Sequence, residues 1–140
     1  EGGLDVVRLK NRVARVVEKL GKKRISVSLF IEPDVRQIKA AYDVGVGNIE
    51  LHTGGYANGR SSWDVKNNFI RIKEAVCYGQ NLGLVVSAGH GLDYDNVGAI
   101  ACLPRIHELN IGYSIVSYAI FAGIDAAVRR MKQLILRKIP

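Results

Sequence analysis

"NIELHTG", residues 48–54, is the stretch on which the fold turns. Apolar and polar residues alternate, so a strand here carries Ile49 and Leu51 on one face and Glu50 and His52 on the other. The apolar pair belongs against a layer of helices. The same pattern returns in "HELNIG", residues 107–112, where Leu109 and Ile111 point to the helices while Glu108 and Asn110 point away. An open doubly wound sheet covers both faces with apolar helices and has no place for a carboxylate, an imidazole and an amide on the second face. A barrel whose lumen is polar near its catalytic end does, and the pattern favours a barrel.

Outward from these strands the chain alternates in type. The spacing predicts an amphipathic helix over 4–20 stopped by Gly21, a strand over 25–31, and a helix opened by Pro33 and Asp34 that runs to about Val44. After the strand at 48–54 comes a loop rich in Gly, Asn and Ser, then a long helix over 62–82 stopped by Gly83. "LVVSA", 84–88, reads as a buried strand, 94–103 as a short helix ended by Pro104, 107–112 as a strand and 117–138 as the last helix. Four strands, each followed by a helix and joined by no hairpin turn, mean a parallel sheet with right-handed crossovers. Residues 1–140 are therefore expected to be a single domain of about four βα units, half of a (β/α)8 barrel, with its ligand at the carboxyl ends of the strands.

A chain of 140 residues that is 48% hydrophobic can bury a core of its own. No apolar run is long enough to span a membrane, and "EGGLDVV" at the N-terminus has neither the charge nor the apolar core of an export signal, so a cytoplasmic protein without membrane contact is expected. Cys77 and Cys102 have no metal-ligand spacing and are expected to be reduced thiols. Twenty Lys and Arg against thirteen Asp and Glu give a net charge of +7. Much of the excess lies in "RLKNRVARVVEKLGKKR" and "RRMKQLILRK", where charged and apolar residues interleave as on the solvated face of a helix. No aromatic platform accompanies it, so nucleic acid is not the expected partner. A basic surface still attracts anionic small molecules.

"LVVSAGHGLDYDN", residues 84–96, runs from an apolar strand into Gly-His-Gly. Two roles fit His90: a proton donor or acceptor at a strand end, or a loop histidine that donates to a backbone carbonyl. The flanking glycines favour the first. Gly89 and Gly91 let the backbone approach a ligand, and their amides can point into a pocket. "IGYS" repeats the device one strand later, with Gly112 ahead of a helix whose first turn contains Ser114 and Ser117. In barrels a phosphate commonly rests on the loops after the last two strands and a helix N-terminus. For Glu50 a catalytic carboxylate and a structural one paired with a basic lumen residue both fit. His52 and His107 are read as structural, and Tyr56 and Trp63 as packing residues of the long loop. No dinucleotide fingerprint, phosphate-binding P-loop, nucleophile elbow or metal-ligand cluster is present, so neither a metal nor a cofactor is expected.

"EGGLDV", "VSLFIEPD", "QIKAA", "IELHTGGYA", "GLVVSAGHGLDYDNV" and "IHELNIGYSIVSYAIFAG", taken in order, resemble the pyridoxine 5'-phosphate synthase family, PdxJ, in its C-terminal part. The resemblance implies a (β/α)8 barrel with extra helices that serve in oligomer contacts, and hence a homo-oligomer. It further implies condensation of 1-deoxy-D-xylulose 5-phosphate with 3-amino-2-oxopropyl phosphate to pyridoxine 5'-phosphate, phosphate and water, without a metal. On the matching motifs His90 would be the proton-donating histidine and Glu50 the carboxylate that stabilises the transition state. Gly91 would contact substrate, and Gly112 with Tyr113 would sit where the family binds a phosphate. Tyr113 stands where the family motif usually carries His, which exchanges an imidazole for a longer phenol. The resemblance also implies that a second acid/base His and Glu, with a phosphate-binding Arg and His, lie in N-terminal strands outside these motifs. The rival expectation is a noncatalytic half-barrel that binds phosphate or forms oligomers.

Overall fold

The computed structural model describes residues 2–136. Helix α1 (Val6–Gly21) begins where the Asp5 side chain accepts the Arg8 N–H at 3.1 Å, which satisfies one of the donors a helix start leaves open. It buries Val6 and Val13 and turns its Lys and Arg outward. β1 (Ser28–Ile31) follows, then α2 (Val35–Asp43), capped in the same way by Asp34 on the Arg36 N–H at 2.8 Å. β2 (Asn48–His52) leads into a one-turn helix α3 (Gly54–Ala57) and the long α4 (Ser62–Asn81), which Ser61 caps on the Asp64 N–H. β3 (Val85–Gly89), α5 (Val97–Ala101), β4 (Leu109–Asn110), α6 (Tyr113–Ala122) and α7 (Ile124–Leu136) complete the order.

The four strands form one sheet in the order β1-β2-β3-β4, all pairs parallel. The register places Phe30 beside Glu50, Glu50 beside Ser87, and His52 beside Gly89. Alternation then fixes the two faces. Leu29, Ile31, Ile49, Leu51, Val86 and Ala88 make the buried core under the helices. Ile49 and Leu51 are fully buried, and burying each such side chain stabilises the fold by roughly 1.5–3 kcal/mol. Helix α4 lies close on the sheet because Gly79 has no side chain: a Cβ there would stand 2.9 Å from Val86 Cγ2 and 3.3 Å from Ile49 Cδ1. The opposite face carries Ser28, Phe30, Asn48, Glu50, His52 and Val85, each at least partly exposed, together with the buried Ser87 and Gly89.

The expected alternation of strands and helices and the two-faced strands are present, and several boundaries differ. The strand expected from Ile25 begins at Ser28, because Ile25 still donates its N–H to Leu20 and Arg24 adopts a φ of 57° as the chain leaves α1. The strand expected over 107–112 is two residues long, having only β3 beside it among the described residues. The loop after β2 contains α3, and the helix expected over 94–103 is confined to Val97–Ala101. The single last helix is two, starting at Tyr113 and broken at Gly123, whose φ of 80° and ψ of 150° no helix accommodates; residues 137–138 lie outside the described residues. Tyr56 is buried as expected, but Trp63, on the first turn of α4, is 72% exposed and so is not a buried packing residue of the loop.

Helices α6 and α7 pack on each other and are pinned to the loop after β3. The Tyr94 and Tyr118 rings pack tilted at 57° with centroids 5.0 Å apart and the Arg130 guanidinium 5.0 Å from both, and the Tyr94 hydroxyl donates to the Ala127 carbonyl. Helix α6 nevertheless buries none of its residues, and Tyr113, Val116, Ile120 and Phe121 are exposed. No described helix is long and apolar enough to cross a membrane.

Candidate active site

At the carboxyl ends of the strands lies a cleft of about 890 Å³. His90, Glu50, Gly91, Gly112 and Tyr113, named separately from the sequence, all line it, together with Phe30, Asn110 and Ser114. Parallel strands bring every strand end to the same side, so Glu50, the pair His90 and Gly91, and the run from Gly112 to Ser114 converge although 40 and 21 positions separate them.

His90 leaves β3 in the left-handed region at φ 80°, and Gly91 follows at φ 78°. For glycine this is free, whereas for a histidine it stores of order 1–3 kcal/mol that the surroundings must hold. Thr53 holds it. Its hydroxyl, fully buried, lies 2.7 Å from the Gly89 carbonyl and 2.6 Å from the His90 carbonyl, and its N–H donates to Gly89 as well. Beyond Gly91 the loop is braced by its own side chains. Asp93 accepts the N–H groups of Asp95 and Asn96, while Asn96 accepts from the Asp93 N–H and donates to the Gly91 carbonyl.

Glu50 reaches the cleft along β2, and Gly89 is the residue that makes room for it. A Cβ at Gly89 would stand 2.4 Å from Glu50 Oε1 and 2.9 Å from Asn110 Cβ. On the far wall Gly112 caps α6 without a side-chain bond, and a Cβ built on it meets nothing within 4 Å. Gly112, Tyr113 and Ser114, at the start of α6, edge the cleft, and the first amides of a helix have no partner within it. The Ser114 hydroxyl donates to the Leu92 carbonyl at 2.8 Å and ties this helix start to the His90 loop. Tyr113 stands on the rim, 89% exposed.

His52, read from the sequence as structural, does not line the cleft but lies directly behind His90. Its Nδ1 lies 2.8 Å from Glu32 Oε1, and its ring meets the His90 ring edge to face at 4.7 Å. Glu32 was no candidate from the sequence. Burial pushes its carboxyl up, but the Gly3 N–H, the His52 ring nitrogen and the positive charges of His52 and Arg71 together outweigh that and hold it below the ordinary 4.5. His107 is exposed and takes no part in the cleft. Cys77 and Cys102 are free thiols at the surface. Among the described residues no group of three or more His, Cys, Asp or Glu could hold a metal ion.

The family model described as "Pyridoxal phosphate biosynthesis protein PdxJ" matches residues 1–137. The chain belongs to the PdxJ family. A curated relative, the pyridoxine 5'-phosphate synthase of Blochmanniella pennsylvanica (strain BPEN), is 47% identical over 135 residues, covering 96% of this chain and 55% of the relative. The chain thus spans about half the length of that PdxJ relative. Among solved structures, a chain of the "Crystal structure of Amycolatopsis orientalis BexX/CysO complex" superposes with a TM-score of 0.54 at 15% identity, over 94% of this chain and 53% of that one. That likeness concerns the arrangement of βα units alone. The family read from the motifs is thereby borne out, and the parallel four-stranded sheet alternating with helices is the fold such a member presents.

Proposed function

We propose that these residues are half of a (β/α)8 barrel, the C-terminal half by the motifs they carry, and supply part of the active site of a pyridoxine 5'-phosphate synthase. The one-sided sheet supports the barrel. Its polar face, and the outer edges of β1 and β4 that no strand among the described residues pairs, are what a closed barrel would turn into a lumen and pair with further strands. The uncovered apolar side of α6 fits the same picture, as surface that other βα units or a second subunit of a homo-oligomer would bury.

The single observation that carries the function is the convergence of His90, Glu50, Gly91, Gly112 and Tyr113 on one cleft. Joining an amine to a ketone expels water, and a hydroxyl leaves as water only with a proton. His90, held rigidly at the cleft wall, is the donor. The same step places positive charge on the nitrogen, which the Glu50 carboxylate stabilises from β2. Gly91, Gly112 and the start of α6 offer backbone amides to a phosphate, with Tyr113 adding a phenolic hydroxyl where the family usually has an imidazole. The reaction would join 1-deoxy-D-xylulose 5-phosphate to 3-amino-2-oxopropyl phosphate in the cytoplasm, giving pyridoxine 5'-phosphate, phosphate and water.

The exposed α6 face also favours a second reading, a noncatalytic half-barrel that binds phosphate or assembles. Incubating the full-length protein with both phosphorylated substrates separates the two. Formation of pyridoxine 5'-phosphate with release of one phosphate is expected; phosphate binding with no product would support the second reading.

A further inference from the structure

His52, Thr53 and Gly54, consecutive at the end of β2, form a seat for His90. The two imidazoles meet edge to face at 62° with centroids 4.7 Å apart. The Thr53 hydroxyl grips the His90 carbonyl at 2.6 Å. A Cβ at Gly54 would stand 2.6 Å from His52 Nε2 and 3.2 Å from His90 Cδ2, so the missing side chain is space the two rings use. His52 is in turn set from behind. Glu32 Oε1 lies 2.8 Å from its Nδ1 and also accepts the Gly3 N–H at 3.0 Å, while the Phe30 ring packs at 5.2 Å.

The hydrogen-bond inventory then fixes the proton. A carboxylate only accepts, so the bond to Glu32 places a proton on His52 Nδ1 and, in the neutral ring, leaves a lone pair at Nε2. That Nε2 is buried and has no hydrogen-bond partner among the described residues. Leaving a buried polar atom unpaired costs about 1–3 kcal/mol, and a histidine with a purely packing role has no reason to bear it. The bond to Glu32 and the contacts with Phe30 and His90 set the ring's place. We propose that Glu32 and His52 are positioning residues: Glu32 fixes the tautomer and tilt of His52, and the His52 ring fixes the orientation of His90 over the cleft. This rests on the reading of His90 as the proton donor.

Among the described residues, Glu50 from β2, Asp93 from its own loop and Tyr113 from α6 line the same cleft as His90, and His52 meets its ring with Glu32 behind it. Glu32→Ala in the full-length protein removes only the rearmost of these. Nitrogen-detected NMR of the imidazoles is expected to show His52 protonated at Nδ1 in the wild type, to lose that tautomer in Glu32→Ala, and to move the His90 ring signals as well. Turnover should fall about tenfold with KM little changed, less than the roughly 100-fold that a 1 Å misplacement costs, and the pH profile of kcat should shift. Glu32→Gln, which keeps an acceptor oxygen in place, should recover most of the loss. Wild-type His52 protonated at Nε2, or His90 signals and a pH profile unmoved by Glu32→Ala, would overturn the proposal. If the wild-type protein makes no product, it is the synthase reading that fails, and the NMR signals still decide the positioning claim.

Discussion

Gly54→Ala adds one methyl group at the point where the two histidines meet, and its cost can be worked out in advance. Gly54 opens α3 outside the left-handed region, so its backbone accepts alanine, and the usual gain from stiffening the unfolded chain is about 0.4–1 kcal/mol. Against this, the new Cβ would lie 2.6 Å from His52 Nε2, 2.9 Å from His52 Cε1 and 3.2 Å from His90 Cδ2. A flexible side chain would swing away at little cost. His52 cannot, because retreat breaks its 2.8 Å bond to Glu32 and presses its ring on Phe30. Overpacking of this kind costs typically 1–3 kcal/mol, which leaves a net loss of roughly 1–2 kcal/mol. At fixed protein concentration that is a fall in Tm of about 2–8 °C for a chain of the relatives' size. Chemical denaturation of the full-length protein and its Gly54→Ala variant reads the loss directly, and turnover should drop with it. A variant as stable as the wild type or more so, with undiminished turnover, would show that the rings are not wedged against Gly54 and would refute the packing described for the site.

Two further outcomes follow from the same geometry. A Cβ at Gly112 meets nothing within 4 Å, so Gly112→Ala should fold as the wild type does yet weaken phosphate binding at low as well as high salt, measured by calorimetric titration; equal affinity would remove the α6 amides from the anion site. The carboxyl of Glu32 is held below the ordinary 4.5 in the folded state, so its contribution to stability is present above that value and is lost as pH falls through the folded value. Urea denaturation across the acid range should therefore show a shallower acid loss in Glu32→Gln than in the wild type, and parallel curves would contradict the assigned hydrogen bonds.

What the sequence made legible was whatever alternation and punctuation encode. Ile49, Leu51, Val86 and Ala88 lie in the core because period two put them on one face, and the Gly-His-Gly turn announced a backbone that must depart from the strand. Position in space was legible only where the strand order could be inferred. Glu32 and His52 are 20 residues apart and meet because β1 and β2 pair in parallel, while His52 reaches His90 because the register sets it beside Gly89. The alternation placed His52 on the same face as Glu50, but its contacts with Glu32 and His90 depend on the pairing of three strands. The break at Gly123 was hidden because apolar residues continue at helical spacing on both sides of it. Trp63 misled for the opposite reason: an aromatic side chain suggests burial, but its place on the first turn of α4 turns it to solvent.

The central claim is that the cleft at the strand ends protonates the leaving group through His90. Its most direct test is the turnover of both phosphorylated substrates by the full-length protein and by its His90→Asn variant, at matched substrate saturation. A positioned proton donor contributes about 10² to 10⁴ in rate, so kcat should fall within that range while KM and the folded structure are retained. Wild-type turnover in His90→Asn would contradict the claim.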